Sequence, residues 1–258
     1  MRLTAIRSAT VVLDYAGTRF LIDPDLAPRH ARDSFTGRSR NPMVELPFPA
    51  DEVGARADVL LVSHLHRDHF DATGTLDPAL PVLCQPGDED AIRAAGFTAV
   101  TAVTGPARIG GVELRRTAGR HGLGEVGELM GRVSGFVLRA VGEPTLYWAG
   151  DTVLCDDVRS VLADEAPEVV VTHSCGATWP DSRGARQLIV MDEAQTLECC
   201  GLAEGVVIAT HMEAFDHGTV DRAMLRRAAD RAGIGEARLR IPHDGETIEI
   251  DERGARTC

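Results

Sequence analysis

The sequence predicts an α/β domain in which buried strands bring polar side chains to a common site. Three observations predict this fold class. Short apolar runs alternate with stretches of helical periodicity along the chain. Several apolar runs end in a histidine or an aspartate, and residues 64–71 alone contain three histidines and two aspartates. Because no low-complexity linker and no internal repeat interrupts this pattern, we expect one domain over residues 1–258.

Composition and charge limit the classes of function. Of the 258 residues, 44% are hydrophobic and 26% are charged, which is typical of a folded protein with a sizeable core and excludes general disorder. The formal net charge of −12 argues against a protein that coats nucleic acid. We therefore expect a small-molecule substrate and do not expect nucleic acid as a partner.

Neither a membrane span nor an export signal is apparent in the sequence. The apolar runs are far too short to cross a bilayer, and Arg7 interrupts the candidate signal segment at the N-terminus. The six cysteines form no CxxC pair and are typical of reduced thiols. We therefore expect a cytoplasmic protein with no membrane partner, and we leave homo-oligomerisation open.

Strands dominate the start of the chain and alternate with helices afterwards. The runs TVVLDY and TRFLID flank Gly17 and predict a hairpin. Residues 24–50 lack periodicity and contain five of the 13 prolines, which is typical of a functional loop or of a surface excursion. Helices are predicted at 88–96, 155–165, 191–201 and 220–233. Further strands are predicted at 59–62, 81–84, 98–103, 112–116, 133–141 and 145–149, before His173 and His211, and near the C-terminus.

Polar residues recur at the ends of the predicted buried strands. Strand ends are where α/β folds collect their ligand sites, because the backbone there is rigid and the loops begin. The pattern predicts a polar site assembled from distant segments. The residues that end or directly follow these apolar runs are Asp23, His64, Asp151, His173 and His211.

The stretch SHLHRDHFD at 63–71 predicts metal binding. Imidazole and carboxylate are the ligands that zinc and other first-row metals use in open catalytic sites. In an extended chain His64 and His66 point the same way and can bind one metal. If a helix begins near Asp68, then Asp68 and His69 face a neighbouring position, so the spacing favours two adjacent metals over a solvated polar turn. Asp71 is expected to stabilise local structure as a carboxylate at a helix N-terminus.

The motif His64-x-His66-x-Asp68-His69 resembles the signature of the metallo-β-lactamase-fold hydrolases, and the resemblance covers nearly the whole chain. It implies a four-layer αββα sandwich with the metals at one edge between two sheets. The MDEA helix before the strand to His211 and the closing PHDGE at 242–246 resemble the branch that contains L-ascorbate-6-phosphate lactonase.

The resemblance also implies a ligand set for two divalent metal ions, with zinc as the first expectation and manganese or iron as alternatives. Asp151 is expected to bridge the metals, and Asp68 is expected to hydrogen-bond the attacking hydroxide while it binds the second metal. These two are the predicted catalytic residues. The predicted ligands are His64, His66 and His121 for the first metal, Asp68, His69 and His211 for the second, and Asp151 for both.

Other residues are candidates for orienting a ligand or contacting substrate. His173 and His211 both follow an apolar strand and a threonine, and the order of elements in the family favours His211 as the ligand. Asp23 is expected to orient a histidine ligand instead of binding metal. Glu213 and His217 are expected either to orient a ligand or to donate a proton, or else to stabilise their own loop. Arg38 and Arg40 are candidates for binding an anionic group, with solvated loop charges as the alternative.

The predicted activity is hydrolysis of a small ester, lactone or phosphate ester by a metal-bound hydroxide. No G-x-S-x-G or GxxxxGK[ST] motif is present, so serine-hydrolase and P-loop mechanisms are not expected. The alternatives are an iron-dependent, oxygen-using enzyme on the same fold and a metal-binding protein without turnover.

Overall fold

Two large β-sheets, one two-stranded hairpin and six helices make up the computed structural model, which describes residues 1–70, 74–251 and 254–257. The strands among these residues are β1 Arg2–Arg7, β2 Thr10–Tyr15, β3 Thr18–Ile22, β4 Val59–Val62, β5 Val82–Cys84, β6 Val100–Ala102, β7 Ala107–Ile109, β8 Val112–Ala118, β9 Ser134–Arg139, β10 Leu146–Trp148, β11 Val169–His173, β12 Thr178–Pro180, β13 Arg186–Leu188, β14 Val206–Thr210, β15 Leu239–Arg240, β16 Thr247–Asp251 and β17 Gly254–Thr257. The helices are α1 Ala50–Gly54, α2 Glu89–Ala94, α3 Gly124–Met130, α4 Asp156–Glu165, α5 Glu193–Leu202 and α6 Arg222–Arg231.

Both sheets combine an antiparallel part with a parallel part. The first sheet has the order β17-β16-β1-β2-β3-β4-β5-β6, and its strands β3 to β6 run parallel. The second has the order β15-β14-β11-β10-β9-β8-β7, and β10, β11, β14 and β15 run parallel. A separate hairpin joins β12 and β13. The parallel strands matter for function, because their carboxyl ends meet at one edge of each sheet.

The two sheets pack face to face around a shared apolar core. This core contains fully buried side chains from both sheets, such as Phe20 and Trp148. Helices α4, α5 and α6 contribute to a second buried cluster on the outer face of the second sheet, and α1 and α2 to a third cluster on the outer face of the first. This arrangement confirms the predicted four-layer αββα sandwich.

Most predicted elements are present, with ends that differ by a few residues. The predicted hairpin is confirmed: Tyr15 pairs with Thr18, and both turn residues, Ala16 and Gly17, have positive φ, as this tight turn requires. Helix α3 was not predicted, because its sequence GEVGELM contains two glycines and lacks a clear apolar stripe. The hairpin β12–β13 was also not predicted, since its strands have only three residues each.

The segment 24–50 has little regular structure. It contains an isolated bridge between Arg32 and Asn41 and ends where α1 begins. Within the described ranges, no helix combines the length and the apolar character that crossing a membrane requires.

Candidate metal centre

The carboxyl ends of the parallel strands converge on one buried cluster. Asp23 and His64 follow β3 and β4 in the first sheet, and the remaining members, Asp151, His173 and His211, end or follow β10, β11 and β14 in the second. All five side chains are buried. The cluster therefore lies where the facing edges of the two sheets meet, as the sequence pattern predicts for a site built from strand ends.

Three histidines form what we call the first half-site: His64, His66 and His121. Their ligand atoms lie within 4.8 Å of one another, and His66 Nδ1 is 3.2 Å from His121 Nε2. His121 Nδ1 lies 2.7 Å from the carbonyl oxygen of Ile189. Because a carbonyl can only accept, the proton of the neutral ring is on Nδ1 and the Nε2 lone pair faces the cluster.

Burial favours the neutral form of two histidines of the first half-site, His64 and His121. It lowers the pKa of His64 well below the ordinary value, and the neighbouring imidazoles add to this effect. Burial also lowers the pKa of His121, to about 4, although the carboxylate of Asp151 opposes the shift. Among the described residues, His64 Nε2 is buried without a hydrogen-bond partner. Neutral imidazoles with free lone pairs are the form that binds a metal.

Asp68, His69 and His211 form the second half-site. His211 Nε2 is 3.1 Å from His69 Nε2 and 3.3 Å from Asp68 Oδ2. Burial opposes charge on His69, but the carboxylates of Asp151, Asp68 and Asp23 outweigh it and raise the pKa of His69 to about 10. Lone pairs that face each other at 3.1 Å need a proton or a cation between them.

Asp151 lies between the two half-sites. Its Oδ2 atom is 3.2 Å from His69 Nε2 and 3.4 Å from His121 Nε2, so one oxygen contacts both. Its Oδ1 atom accepts a hydrogen bond from His173 Nδ1 at 2.6 Å. Burial would raise the pKa of Asp151, but the imidazoles of His69, His211 and His121 hold it well below the usual range. This position suits a carboxylate that bridges two cations.

Asp23 is buried behind the ligands, and it contacts the second half-site directly and the first through Ser63. Its carboxylate accepts from the Ser63 amide at 2.7 Å, from Ser63 Oγ at 2.8 Å and from His69 Nδ1 at 2.9 Å. Ser63 Oγ lies 3.0 Å from His64 Nδ1 and accepts from it, because its own proton is donated to Asp23. This chain of donors fixes the tautomers of His64 and His69 so that both Nε2 atoms face the centre.

Unusual backbone conformations occur beside these residues. Asp23 and His211 have φ values of 45° and 68°, in the left-handed region that residues other than glycine rarely adopt. Gly150 has a φ of 70°, and a Cβ atom there would lie 2.7 Å from the carbonyl oxygen of Ser134. The turn that directs Asp151 into the centre therefore requires glycine.

Of the remaining histidine and glutamate candidates, two contact the cluster and one does not. His173 binds Asp151, and His217 Nε2 lies 3.6 Å from Asp68 Oδ2, so both belong to the cluster. Glu213 instead accepts from the Arg222 amide at 3.0 Å.

Neither arginine of the 24–50 segment reaches the cluster. Arg38 donates to the backbone carbonyls of Asp216 and Gly218. Arg40 pairs with Asp33 at 3.0 Å on the surface. Asp71 lies outside the described residues.

Two contacts in the cluster were not predicted from the sequence. Cys175 Sγ is 3.4 Å from His211 Nδ1, and it forms a further buried group with His211 and His217. Ser63 connects Asp23 to His64. Both residues directly adjoin or closely follow a candidate histidine, in SHLH and THSC, and that proximity is the only sequence signal that points to them.

The donor set fits divalent metal ions. Imidazole nitrogens and carboxylate oxygens from both half-sites converge around Asp151, and the three His of the first half-site and the group His69, Asp151, His173 and His211 are each close enough to hold an ion. The free, buried Nε2 atom of His64 supports this assignment, because an unpaired buried nitrogen otherwise costs free energy.

A cavity of about 370 Å³ opens onto both half-sites. Its polar lining is supplied by His66, Asp68, His121, Asp151 and His217, and its apolar lining by Phe35, Leu65, Met130, Trp179 and Ile189. Among the described lining residues, Arg67 is the one that carries a positive charge independent of pH. A larger cavity, of about 610 Å³, also touches His121 but includes no other member of the cluster. The smaller cavity is therefore the candidate substrate site.

Comparison with known proteins gives a consistent family. Residues 18–212 match the model of the Beta-lactamase superfamily domain. The UPF0173 protein YddR of Bacillus subtilis is 33% identical over 256 residues, which cover 96% of this chain and 99% of the relative. A UPF0173 metal-dependent hydrolase of Azorhizobium caulinodans is 28% identical over 66% of this chain and 72% of its own length.

Two solved structures are similar over almost the entire chain. A possible metal-dependent hydrolase from Veillonella parvula has a TM-score of 0.90 and 32% identity, and the match covers 96% of this chain and 98% of that one. An isothiocyanate hydrolase from Delia radicum gut bacteria has a TM-score of 0.88 and 35% identity, with 97% and 99% covered. Both similarities extend over the strands that carry the cluster.

Proposed function

Because this chain belongs to the beta-lactamase superfamily and is a metal-dependent hydrolase of that superfamily, we propose that it hydrolyses a small, uncharged substrate at a centre of two divalent metal ions. The observation that carries this proposal is the cavity over the two half-sites. We call its polar lining residues the floor and its apolar lining residues, Phe35, Leu65, Met130, Trp179 and Ile189, the apolar wall. Such a cavity favours a substrate with one polar, reactive group and an apolar remainder.

The apolar wall also supports a choice among substrate classes. Esters and lactones are the first candidates, and isothiocyanates, the substrates named for one similar protein, share their uncharged carbon electrophile. A phosphate ester fits less well, because Arg67 is the one permanent cation among the described lining residues. Arg38 and Arg40, which the sequence suggested for an anion, donate to backbone carbonyls and to Asp33.

The two half-sites would hold one metal each, with Asp151 bound to both. Zinc is the first candidate, and manganese and iron use the same donors. A bound divalent metal lowers the pKa of water to about 7 and stabilises a developing oxyanion. Asp68, at the floor of the cavity, would accept a hydrogen bond from the attacking water and orient it. His217 lines the same cavity and would contact the leaving group.

The test measures metal content before activity. The protein is reconstituted with excess zinc or manganese, dialysed and analysed for metals, and we expect about two ions per chain. Fewer than one ion per chain contradicts the dinuclear centre. A protein that retains iron after aerobic purification and consumes oxygen supports the oxygen-using alternative instead.

The substrate class is tested with four compounds on the reconstituted protein: 4-nitrophenyl acetate, γ-butyrolactone, benzyl isothiocyanate and bis(4-nitrophenyl) phosphate. We expect turnover of at least one of the three uncharged compounds and slower turnover of the phosphodiester. Turnover of the phosphodiester alone contradicts the proposed class. A fully metal-loaded protein that turns over none of them supports a binding protein without turnover.

A further inference from the structure

Residues 34–41, which we call the strap, lie against the loop that follows His211. The strap belongs to the irregular segment 24–50 and forms no helix or regular strand. One of its residues, Phe35, lines the cavity over the metal centre. Through Phe35, the irregular 24–50 segment therefore contributes a side chain to the candidate substrate site.

A single buried carboxylate holds the strap in place. Asp216, which is fully buried, accepts from the Phe35 amide at 2.9 Å, the Thr36 amide at 3.1 Å and Thr36 Oγ1 at 2.6 Å. It also accepts from Ser34 Oγ and, at 2.7 Å, from Asn41 Nδ2. Hydrogen bonds to an ionised acceptor are stronger than those between neutral groups.

The backbone of the following loop adds further contacts. The Asp216 carbonyl accepts from Arg38 Nε at 2.7 Å, and its amide donates to Asn41 Oδ1 at 2.9 Å. Arg38 also donates to the Gly218 carbonyl at 2.8 Å. The strap is therefore bound at its beginning, middle and end to residues 216–218.

The residues held most closely are those that flank Phe35. Ser34 and Thr36 both bind Asp216, so the position of the Phe35 ring depends on that carboxylate. The ring centroid lies 5.2 Å from that of His217, at an interplanar angle of 67°, and 5.8 Å from that of Phe215. These are ordinary edge and stacking distances for aromatic pairs, and they fix one face of the cavity.

We propose that Phe35 is a specificity-determining residue that selects the apolar group of the substrate, and that Asp216 is the positioning residue that holds Phe35 at the cavity. The substrate class that follows is a small molecule with a hydrolysable polar group and an aryl or alkyl tail. This inference rests on the proposed function for the existence of a substrate, but the apolar wall itself can be measured without turnover.

The experiment uses two metal-chelating probes that differ only in their tail. Acetohydroxamic acid and phenylacetohydroxamic acid share the chelating group, so the ratio of their dissociation constants reports the contribution of the apolar wall. The ratio is measured by calorimetry on the zinc-reconstituted protein and on Phe35→Ala. Phe48→Ala is the matched control, because Phe48 is a half-exposed phenylalanine of the same 24–50 segment that does not line the cavity.

We expect wild type to prefer the phenyl probe and Phe35→Ala to reduce this preference about tenfold. Phe48→Ala is expected to leave the preference unchanged. An unchanged preference in Phe35→Ala, with metal content intact, overturns the role of Phe35. If wild type shows the preference but hydrolyses none of the four test compounds, the proposed function fails while the apolar wall stands.

The role of Asp216 is tested with Asp216→Asn and with the pair Thr36→Val and Thr36→Ser. We expect Asp216→Asn and Thr36→Val to reduce the preference for the phenyl probe, by about threefold to tenfold, with metal content and affinity for acetohydroxamic acid preserved. Thr36→Ser keeps the hydroxyl and should restore the wild-type preference. If Asp216→Asn does not fold, the Thr36 pair decides alone. Equal preferences in wild type and Thr36→Val overturn the positioning role.

Discussion

The two half-sites of the metal centre use the same imidazole chemistry, but different neighbours hold their ligands. In the first, His121 donates to a backbone carbonyl at 2.7 Å and His64 donates to the hydroxyl of Ser63. In the second, His69 binds the carboxylate of Asp23 at 2.9 Å and His211 contacts the thiol of Cys175. Neutral groups thus support the first half-site, whereas carboxylates and a thiol surround the second.

This difference reverses the electrostatics of the histidines. In the first half-site burial prevails and lowers the pKa values of His64 and His121. In the second, burial is outweighed by neighbouring carboxylates, and the pKa values of His69 and His211 are raised. The comparison teaches that the charged groups around a ligand, and not its residue type, set the charge it presents to a metal.

The largest expected effect comes from the one ligand carboxylate that belongs to the second half-site alone. Asp68→Ala should reduce hydrolysis by about 10³-fold, because it removes both a ligand and the acceptor that orients the water. The circular dichroism spectrum should be unchanged, since the first half-site keeps its three histidines. If Asp68→Ala kept both the wild-type rate and an unchanged spectrum, Asp68 would have neither role, and the second half-site would not contribute a carboxylate of its own to hydrolysis.

Metal content should distinguish the roles of His173 and His211, which lie at the ends of neighbouring strands of the second sheet. His211→Ala should lower the affinity for the second metal by more than about 100-fold. Loss of a ligand should exceed the 10–100-fold effect of losing a residue that only orients a ligand. His173→Ala should keep both metals and change kcat or KM, since His173 donates to Asp151 at 2.6 Å. Elemental analysis of both purified variants decides between them. Loss of metal from the His173 variant alone would reverse the assignment.

Strand ends account for what the sequence could predict about this site. The apolar runs before Asp23, His64 and Asp151 indicated buried strands, and buried parallel strands bring their ends together. The structure brings all seven predicted ligands into one cluster, and their binding of metal remains a prediction. The αββα layering needed the family resemblance, because periodicity cannot show which strands share a sheet.

The rest depends on tertiary contacts that local patterns do not specify. Ser63, Cys175 and Asp216 have common side chains, and only the folded chain shows what they touch. His173 and His211 have the same local sequence, Thr-His after a strand, so their different contacts come from the positions of β11 and β14. Composition identified the 24–50 segment as unusual but could not say where its side chains lie.

The next effect in size is the pH dependence of metal affinity, which should differ between the two half-sites. The pKa of His69 is about 10, so below that pH the metal-free side chain is protonated and must lose a proton before a metal can bind. The affinity of the second half-site for metal should therefore fall about tenfold for each unit by which the pH is lowered. Between pH 8 and pH 6 the fall is therefore about 100-fold. His64 and His121 of the first half-site should contribute little to any change over that range, because the pKa of His64 lies well below its ordinary value and the pKa of His121 is about 4.

Two variants isolate the half-sites for this measurement. His211→Ala leaves the first half-site intact, and His64→Ala leaves the second intact. Zinc affinity is measured by competition with a chelator of known pH dependence at each pH. Equal slopes for the two variants would contradict the electrostatic difference between the half-sites.

The smallest expected effect concerns Asp23 and Ser63, which connect the two half-sites from behind. In Asp23→Asn the amide nitrogen takes the place either of Oδ2, where it opposes His69 Nδ1 and Ser63 Oγ, or of Oδ1, where it opposes the Ser63 amide. In both cases His69 loses its ionised acceptor, and the affinity for the second metal should fall 10–100-fold. Ser63→Ala leaves the contact between Asp23 and His69 intact, and it removes the acceptor behind His64 together with one neutral donor to Asp23. Its effect should be confined to the first metal and stay below about tenfold, because a neutral hydrogen bond contributes about 1 kcal/mol. Zinc titrations of the two variants, each combined with His211→Ala or His64→Ala, resolve the contributions. If Ser63→Ala weakened the second metal as much as Asp23→Asn does, the two half-sites would share one support, and the contrast between them would not hold.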